Sequence, residues 1–348
     1  MQLFHEETSR VTVIAELSAN HNHSYARAAD LVKAAIDAGA DAIKVQTYTA
    51  DTITLDSDRP EFRIDQGTLW DGRRLYELYE EAHMPWEWQP ELMKLCTDLG
   101  APLFSSPFDL SAVAFLESLD WPAYKIASPE IVDRALIEAC AATNKPMILS
   151  TGMASLDEID EAVIWARAAG CEDLTLLKCT SAYPASPEEM NLRSMLKLQS
   201  EFGTRIGLSD HSMGHAAAVA AVALGATVIE KHFTLSRGDP GPDSAFSMEP
   251  QEFREMVDAI RVTEATLGDE RWHPCPREEM NKSFRRSLYW VNSIKAGEII
   301  TPEHIRSVRP ANGLAPKFLS QIMGCRAVLD VEAPMPVSAE HIDHALTH

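Results

Sequence analysis

The sequence predicts an α/β protein: a (β/α)8 (TIM) barrel followed by a small C-terminal module. Three observations carry that prediction. Strand-like and helix-like segments alternate from residue 11 to about residue 267, the pattern of a parallel sheet with helical crossovers. Eight strand-like segments fit into that stretch, which has about the 250 residues such a barrel needs. Almost every segment ends in Lys, Ser, Thr, Glu, Gln, Tyr or His, and the carboxyl ends of barrel strands are where active sites lie. A doubly wound open sheet is the alternative, but no Gly-rich GxGxxG turn follows the first strand.

The first strand is Val11–Leu17, followed by Asn20-His21-Asn22-His23 and a helix over Ala26–Ala38 that Gly39 stops. In the second, Ala42–Gln46, alternation places Lys44 and Gln46 on one face. The long stretch Thr47–Gly72, containing Gly67-Thr68-Leu69-Trp70-Asp71, has the length of a loop that covers a site or is disordered. Helices at Arg74–Ala82 and Pro90–Leu99 lead to strands Pro102–Ser106, Ala123–Ile126, Pro146–Ser150 and Leu174–Lys178. The last two strands, Arg205–Leu208 and Thr227–Glu230, are joined by an Ala/Val-rich helix and run into Ser209-Asp210-His211 and Lys231-His232. A helix at Pro250–Leu267 ends the barrel domain, residues 1–267. Residues 268–284, with two prolines and high charge, read as a linker, and 285–348 as a module of short strands and turns.

The net charge of -21, from 52 acidic against 31 basic residues, opposes nucleic-acid or anionic-membrane partners. Six scattered cysteines without a CxxC read as reduced thiols of a cytoplasmic protein. The N-terminal residues show no leader pattern, and no apolar run approaches the 18 residues or so of a membrane span.

Two strand-end histidines on adjacent parallel strands could share a divalent metal. His211 and His232 form that pair, but His211 and His215, four apart, could equally share a helix face. Lys44 and Lys125 with Ser106, Ser128, Ser150 and Ser209 supply the cations and short donors that a phosphate requires. The competing explanation is structural ion pairing, Lys44 with Glu16 and Lys125 with Glu130. Glu16 and Glu130 also suit acid/base or hydroxyl-binding roles. Together these residues suggest a metal-assisted reaction between a phosphorylated anion and a carbonyl compound.

The runs AELSANHN (15–22), GADAIKVQT (39–47), FSSPF (104–108), YKIAS (124–128), LSTGM (149–153), KCTSAYP (178–184), GLSDHSMG (207–214) and VIEKHF (228–233) resemble the sialic acid synthase family. RSLY (286–289), KAGE (295–298) and VRPANGLAP (308–316) are similar to the antifreeze-like (SAF) domain which that family carries. SANHN, QTYTADTITL (46–55) and GTLWD are closer to the pseudaminic acid synthases within it than to the N-acetylneuraminate synthases.

The resemblance implies condensation of phosphoenolpyruvate with an open-chain acetamido hexose, giving a nine-carbon 2-keto sugar acid and phosphate. It implies His211 and His232 as ligands of Mn²⁺, Mg²⁺ or Co²⁺, and Glu16, Lys44 and both histidines as catalytic. It implies that Lys44, Ser106, Lys125, Ser128, Ser150, Ser181 and Ser209 hold phosphoenolpyruvate, although some relatives have Asn at the position of Ser181. Gln46, Glu130, Tyr183, Asp243 and Arg309 would contact the sugar, with Arg309 arriving from the exchanged terminal module of a second subunit in a homodimer. One departure is VLDVEAPMPVSAEHI (328–342), with Ala-Pro where the family usually has Lys-Gly. A non-catalytic carbohydrate binder with the same fold is the rival from another class, but a binder has no need of both histidines and both lysines.

Overall fold

The computed structural model describes residues 10–269 and 272–343. The leader reading at residues 1–9 therefore falls outside the described residues. The chain separates into two compact units between Gly268 and Asp269.

The first unit is a closed barrel of eight parallel strands, paired in sequence order with the eighth against the first. They are β1 (Thr12–Glu16), β2 (Ala42–Thr47), β3 (Leu103–Pro107), β4 (Tyr124–Ile126), β5 (Met147–Ser150), β6 (Leu174–Cys179), β7 (Arg205–Asp210) and β8 (Val228–His232). Each runs within about two residues of its expected span. The difference that matters is at β7 and β8, which continue through Asp210 and His232. They do so because β8 stays paired with β1 as far as the Glu16–His232 register. His232 is thus held in a strand, whereas a loop was expected.

Helices form where the apolar spacing demands them. Helix Tyr25–Asp37 is capped by Ser24, which accepts from the Arg27 N–H at 3.3 Å, and buries Ala28, Leu31, Val32 and Ala35 at helical spacing against the barrel. Alternation along the strands sorts the interior into two levels. Toward the amino ends the inward positions are apolar or small: Ile14, Phe104, Ile148, Leu177 and Gly207. A Cβ on Gly207 would meet the Val228 carbonyl at 2.3 Å and Leu177 Cδ2 at 2.6 Å, so only glycine lets β7 lie this close. Toward the carboxyl ends the same faces carry Glu16, Lys44, Gln46, Ser106, Lys125, Ser150, Ser209, Glu230 and His232.

The long stretch after β2 is ordered. It contains a helical turn at Ala50–Ile53, a 3-10 turn at Pro60–Phe62 and an isolated bridge between Arg63 and Arg74. The Asp71 carboxylate accepts from the Gly67 and Thr68 N–H groups, both at 2.8 Å, and fixes the turn that presents Trp70.

In the second unit, β9 (Ser287–Trp290) lies between β10 (Ile305–Val308) and β11 (Met335–Pro336) in an antiparallel sheet. Leu288, Trp290, Ile305, Phe318, Ile322 and Val337 form its core. Gly313 of the ANGLAP run sits where a Cβ would fall 2.2 Å from the Leu288 carbonyl. The stretch read as a linker holds a helix, Pro276–Asn281. Proline starts it, and the Glu278 carboxylate accepts from Cys275 N–H at 2.8 Å.

Candidate active site

At the carboxyl-end level of the barrel, four charged side chains are buried together. Lys44 Nζ lies 2.9 Å from Glu16 Oε2 and 3.3 Å from Glu230 Oε2, and Lys125 Nζ lies 3.6 Å from Glu230 Oε1. None is more than 4 % exposed. Ser106 Oγ accepts from Lys44 at 3.4 Å, Ser209 donates to Glu230 at 3.0 Å, and Gln46 Nε2 donates to Glu16 at 3.0 Å. Burial acts to raise every carboxylate here, but the two lysines hold Glu230 well below its ordinary range. Glu16 moves up, because burial outweighs the pull of Lys44. Burial acts to lower both lysines; Glu16 and Glu230 overcome it at Lys44, which is raised, while Lys125 stays lowered. The Lys44–Glu16 pair therefore exists, and it is buried at the carboxyl-end level of the barrel. Lys125 pairs with Glu230 where Glu130 had been the sequence alternative.

Beside the lysines, hydroxyls converge on Gly152. A Cβ there would come within 2.3 Å of Ser181 Oγ and 2.7 Å of Ser128 Oγ, so the glycine keeps open a small polar cradle. The Gly152 N–H donates to Ser128 Oγ at 3.1 Å. Ser150 Oγ, 2 % exposed as a residue, has no hydrogen-bond partner among the described residues. A buried hydroxyl left unsatisfied next to two cations and a free glycine face is what an anion site presents before its ligand arrives.

His211 and His232 meet across the end of β7 and β8, their ring centroids 5.3 Å apart at 67°. His211 Nδ1 lies 2.9 Å from the Thr180 carbonyl. A carbonyl only accepts, so Nδ1 carries a proton; burial acts to lower His211, but Cys179 and the Thr180 carbonyl raise it. His232 is buried with Nδ1 unpartnered among the described residues, and burial, His211 and Lys44 hold it well below its usual titration range, hence neutral. Once His211 gives up its Nε2 proton, the two imidazoles would present the nitrogen donors that a divalent cation takes. Among the described residues no set of three or more His, Cys, Asp or Glu could hold a metal, so the remaining positions would fall to substrate and water. His215 is the N-cap of helix Ala216–Ala223, beyond the Gly214 turn, so it shares no helix face with His211.

Two of the residues expected to contact the sugar, Tyr183 and Asp243, stand near His211. The Tyr183 ring lies 4.3 Å from that of His211. The Asp243 carboxylate accepts from Ser18 Oγ and from Ala19 N–H at 3.4 Å. Glu130, after β4, has a buried Oε2 without a hydrogen-bond partner among the described residues, and burial pushes its carboxyl up to about 7. Arg309 lies exposed in the second unit, directly after β10.

Sequence reading passed over Glu230 and Cys179. The signal for Glu230 was present: in VIEKH, alternation puts it on the face of His232. Cys179, one of the six cysteines read as reduced thiols, sits 3.9 Å from His211 Nδ1 and 3.8 Å from Ser181 Oγ. Burial would raise this thiol, but His211, Ser128 and Lys125 lower it to about 6.

Known proteins resemble the chain over most of its length. The pseudaminic acid synthase of Helicobacter pylori is 46% identical over 96% of this chain and 98% of its own. That of Campylobacter jejuni is 47% identical over 93% and 94%. The crystal structure of the spore coat polysaccharide biosynthesis protein spsE of Bacillus subtilis superposes with a TM-score of 0.64 at 33% identity, covering 97% of this chain and 96% of that one. Residues 285–343 match the SAF domain, and residues 31–271 match the NeuB family. With its barrel and most of its length so matched, the chain belongs to the NeuB family.

Proposed function

We propose that this chain is a pseudaminic acid synthase, condensing phosphoenolpyruvate with the open-chain form of 2,4-diacetamido-2,4,6-trideoxy-altrose. The observation that carries the reading is the adjacency of two functions in one barrel mouth. An anion cradle with two buried lysines lies against a pair of facing histidines, in a chain that is 46% identical to a synthase of that name.

Lys44, Lys125 and the hydroxyls of Ser106, Ser128, Ser150, Ser181 and Ser209 would bind the phosphate and carboxylate. Gln46, Glu130, Tyr183 and Asp243 would hold the sugar. His211 and His232 would hold a divalent metal, Mn²⁺, Mg²⁺ or Co²⁺, which when bound polarises a carbonyl oxygen. Carbon 3 of phosphoenolpyruvate bonds to the aldehyde carbon, whose oxygen takes up a proton. Water adds at carbon 2, losing a proton, and the bond from carbon 2 to the phosphate oxygen breaks. A 2-keto acid and inorganic phosphate remain. Glu16, drawn upward by burial and 2.9 Å from Lys44, is placed to exchange a proton in the buried cluster.

The same proposal includes a homodimer with exchanged SAF domains, in which Arg309 of one subunit serves the other's barrel, and a cytoplasmic location. Among the described residues no helix is long and apolar enough to cross a membrane. Phosphate release measured with phosphoenolpyruvate, Mn²⁺ and each candidate sugar tests the reaction; turnover with N-acetylmannosamine alone would overturn the choice of sugar. Mixing Arg309→Ala with His232→Ala protein tests the exchange, because only hybrid dimers recover a complete site.

A further inference from the structure

The stretch that singles out residues 67–71 in the sequence delivers one large apolar side chain to the barrel mouth. The Trp70 ring lies 5.5 Å from Tyr183 and 6.4 Å from Phe246, and Tyr183 and Phe246 are 5.0 Å apart. Phe246 in turn is 5.1 Å from His232. The only polar atom of the Trp70 side chain, its indole N–H, is already committed to the Pro242 carbonyl at 2.9 Å, so the ring offers nothing but apolar surface. The Asp71-bonded turn fixes the ring in place.

We infer that Trp70, with Phe246 and Tyr183, is a specificity-determining wall that accepts a sugar ending in a methyl group and rejects one ending in a hydroxymethyl group. This rests on the synthase reading above and names which part of the sugar the wall reads. If the histidine pair fixes the aldehyde end, five carbon–carbon bonds of about 1.5 Å carry the far carbon of an extended six-carbon chain roughly 6 Å away. The rings step outward from His232 by 5.1 Å to Phe246 and 6.4 Å more to Trp70, so that carbon falls beside the aromatic wall. A methyl group there buries against aromatic carbon. A hydroxyl held between the Trp70 and Phe246 rings loses water and finds no partner on either, a discrimination of roughly a hundredfold.

The test compares kcat/KM for phosphate release with two sugars, 2,4-diacetamido-2,4,6-trideoxy-altrose and its 6-hydroxy counterpart, using the Mn²⁺-loaded full chain. Wild type should favour the deoxy sugar. Trp70→Ala should shrink that preference roughly tenfold or more, chiefly through a higher KM for the deoxy sugar. Trp70→Phe, which keeps an apolar ring but cannot bond Pro242, should retain most of the preference. If Trp70 served only to anchor its loop, both variants would lower both sugars alike, and an unchanged ratio in Trp70→Ala overturns the wall. Wild type that releases phosphate with neither sugar overturns the choice of sugar and the wall together, whereas turnover without any preference overturns the wall alone.

Discussion

Replacing Glu230 by Gln removes one charge and almost no volume, and it isolates what that charge does for the two lysines. Glu230 stands 3.3 Å from Lys44 and 3.6 Å from Lys125. With an effective dielectric constant near 20, each attraction is roughly 5 kcal/mol before desolvation is subtracted. Lys44 keeps Glu16 in the variant, but Lys125 has no other carboxylate within ion-pair distance among the described residues. Removing one partner of a buried pair destabilises by about 3–5 kcal/mol. For a domain of this size that is a fall of roughly 10 °C in Tm. The same substitution leaves the cavity more positive, so an anion should bind more tightly than in wild type. Differential scanning calorimetry with and without inorganic phosphate measures both effects. The expected result is a lower Tm without phosphate and a larger rise when it is added. A variant as stable as wild type, with phosphate protection equal or weaker, would refute Glu230 as the counter-charge of the two lysines.

Three further outcomes follow from the geometry. Gly152→Ala drives a methyl toward Ser181 and Ser128, so the KM for phosphoenolpyruvate should rise roughly tenfold or more with the sugar KM little changed, as steady-state kinetics with each substrate varied would reveal. His211→Ala should abolish phosphate release while circular dichroism stays that of the folded chain, and His215→Ala should remain active; the reverse pattern would move the metal ligand. Glu130, held at about 7 against an ordinary 4.5, binds a proton in the folded state that the unfolded chain releases. Its contribution to stability is therefore complete below pH 4.5 and lost as pH rises through about 7, at most about 3 kcal/mol, so urea denaturation at pH 5 and pH 7.5 should show a steeper loss in wild type than in Glu130→Gln.

The barrel is readable because its strands are short apolar runs separated by capped amphipathic helices, and those local signals agree with the global fold. Side-chain alternation by itself puts Lys44 and Gln46 on one inner face. What alternation does not supply is neighbourhood. Whether Lys44 faces Glu16, a ligand or both depends on the strand register, and the barrel gives it Glu16, Glu230 and the Ser106 hydroxyl together. Glu230 escapes notice because its value lies in the lysines of β2 and β4, which only barrel closure brings beside β8. His215 stays a candidate until the turn at Gly214 sets the start of its helix, a matter of backbone conformation that spacing does not encode.

The seam of the barrel has a consequence for how such a chain comes to life. Glu16 sits in register with His232 because the first strand closes on the last, and the Phe233 N–H donates to the Glu16 carbonyl at 2.8 Å across that joint. A nascent chain that has completed β6 and the turn after it already owns the serines at 106, 128, 150 and 181, yet lacks both histidines and the Glu230 carboxylate that balances its lysines. Catalysis is in this sense a report of ring closure, the strand pairing of greatest sequence separation among the described residues and the slowest kind to form. Cutting the barrel between β5 and β6 should give two silent fragments whose phosphate release returns only as the ring reassembles, turning turnover into a clock for the last step of folding.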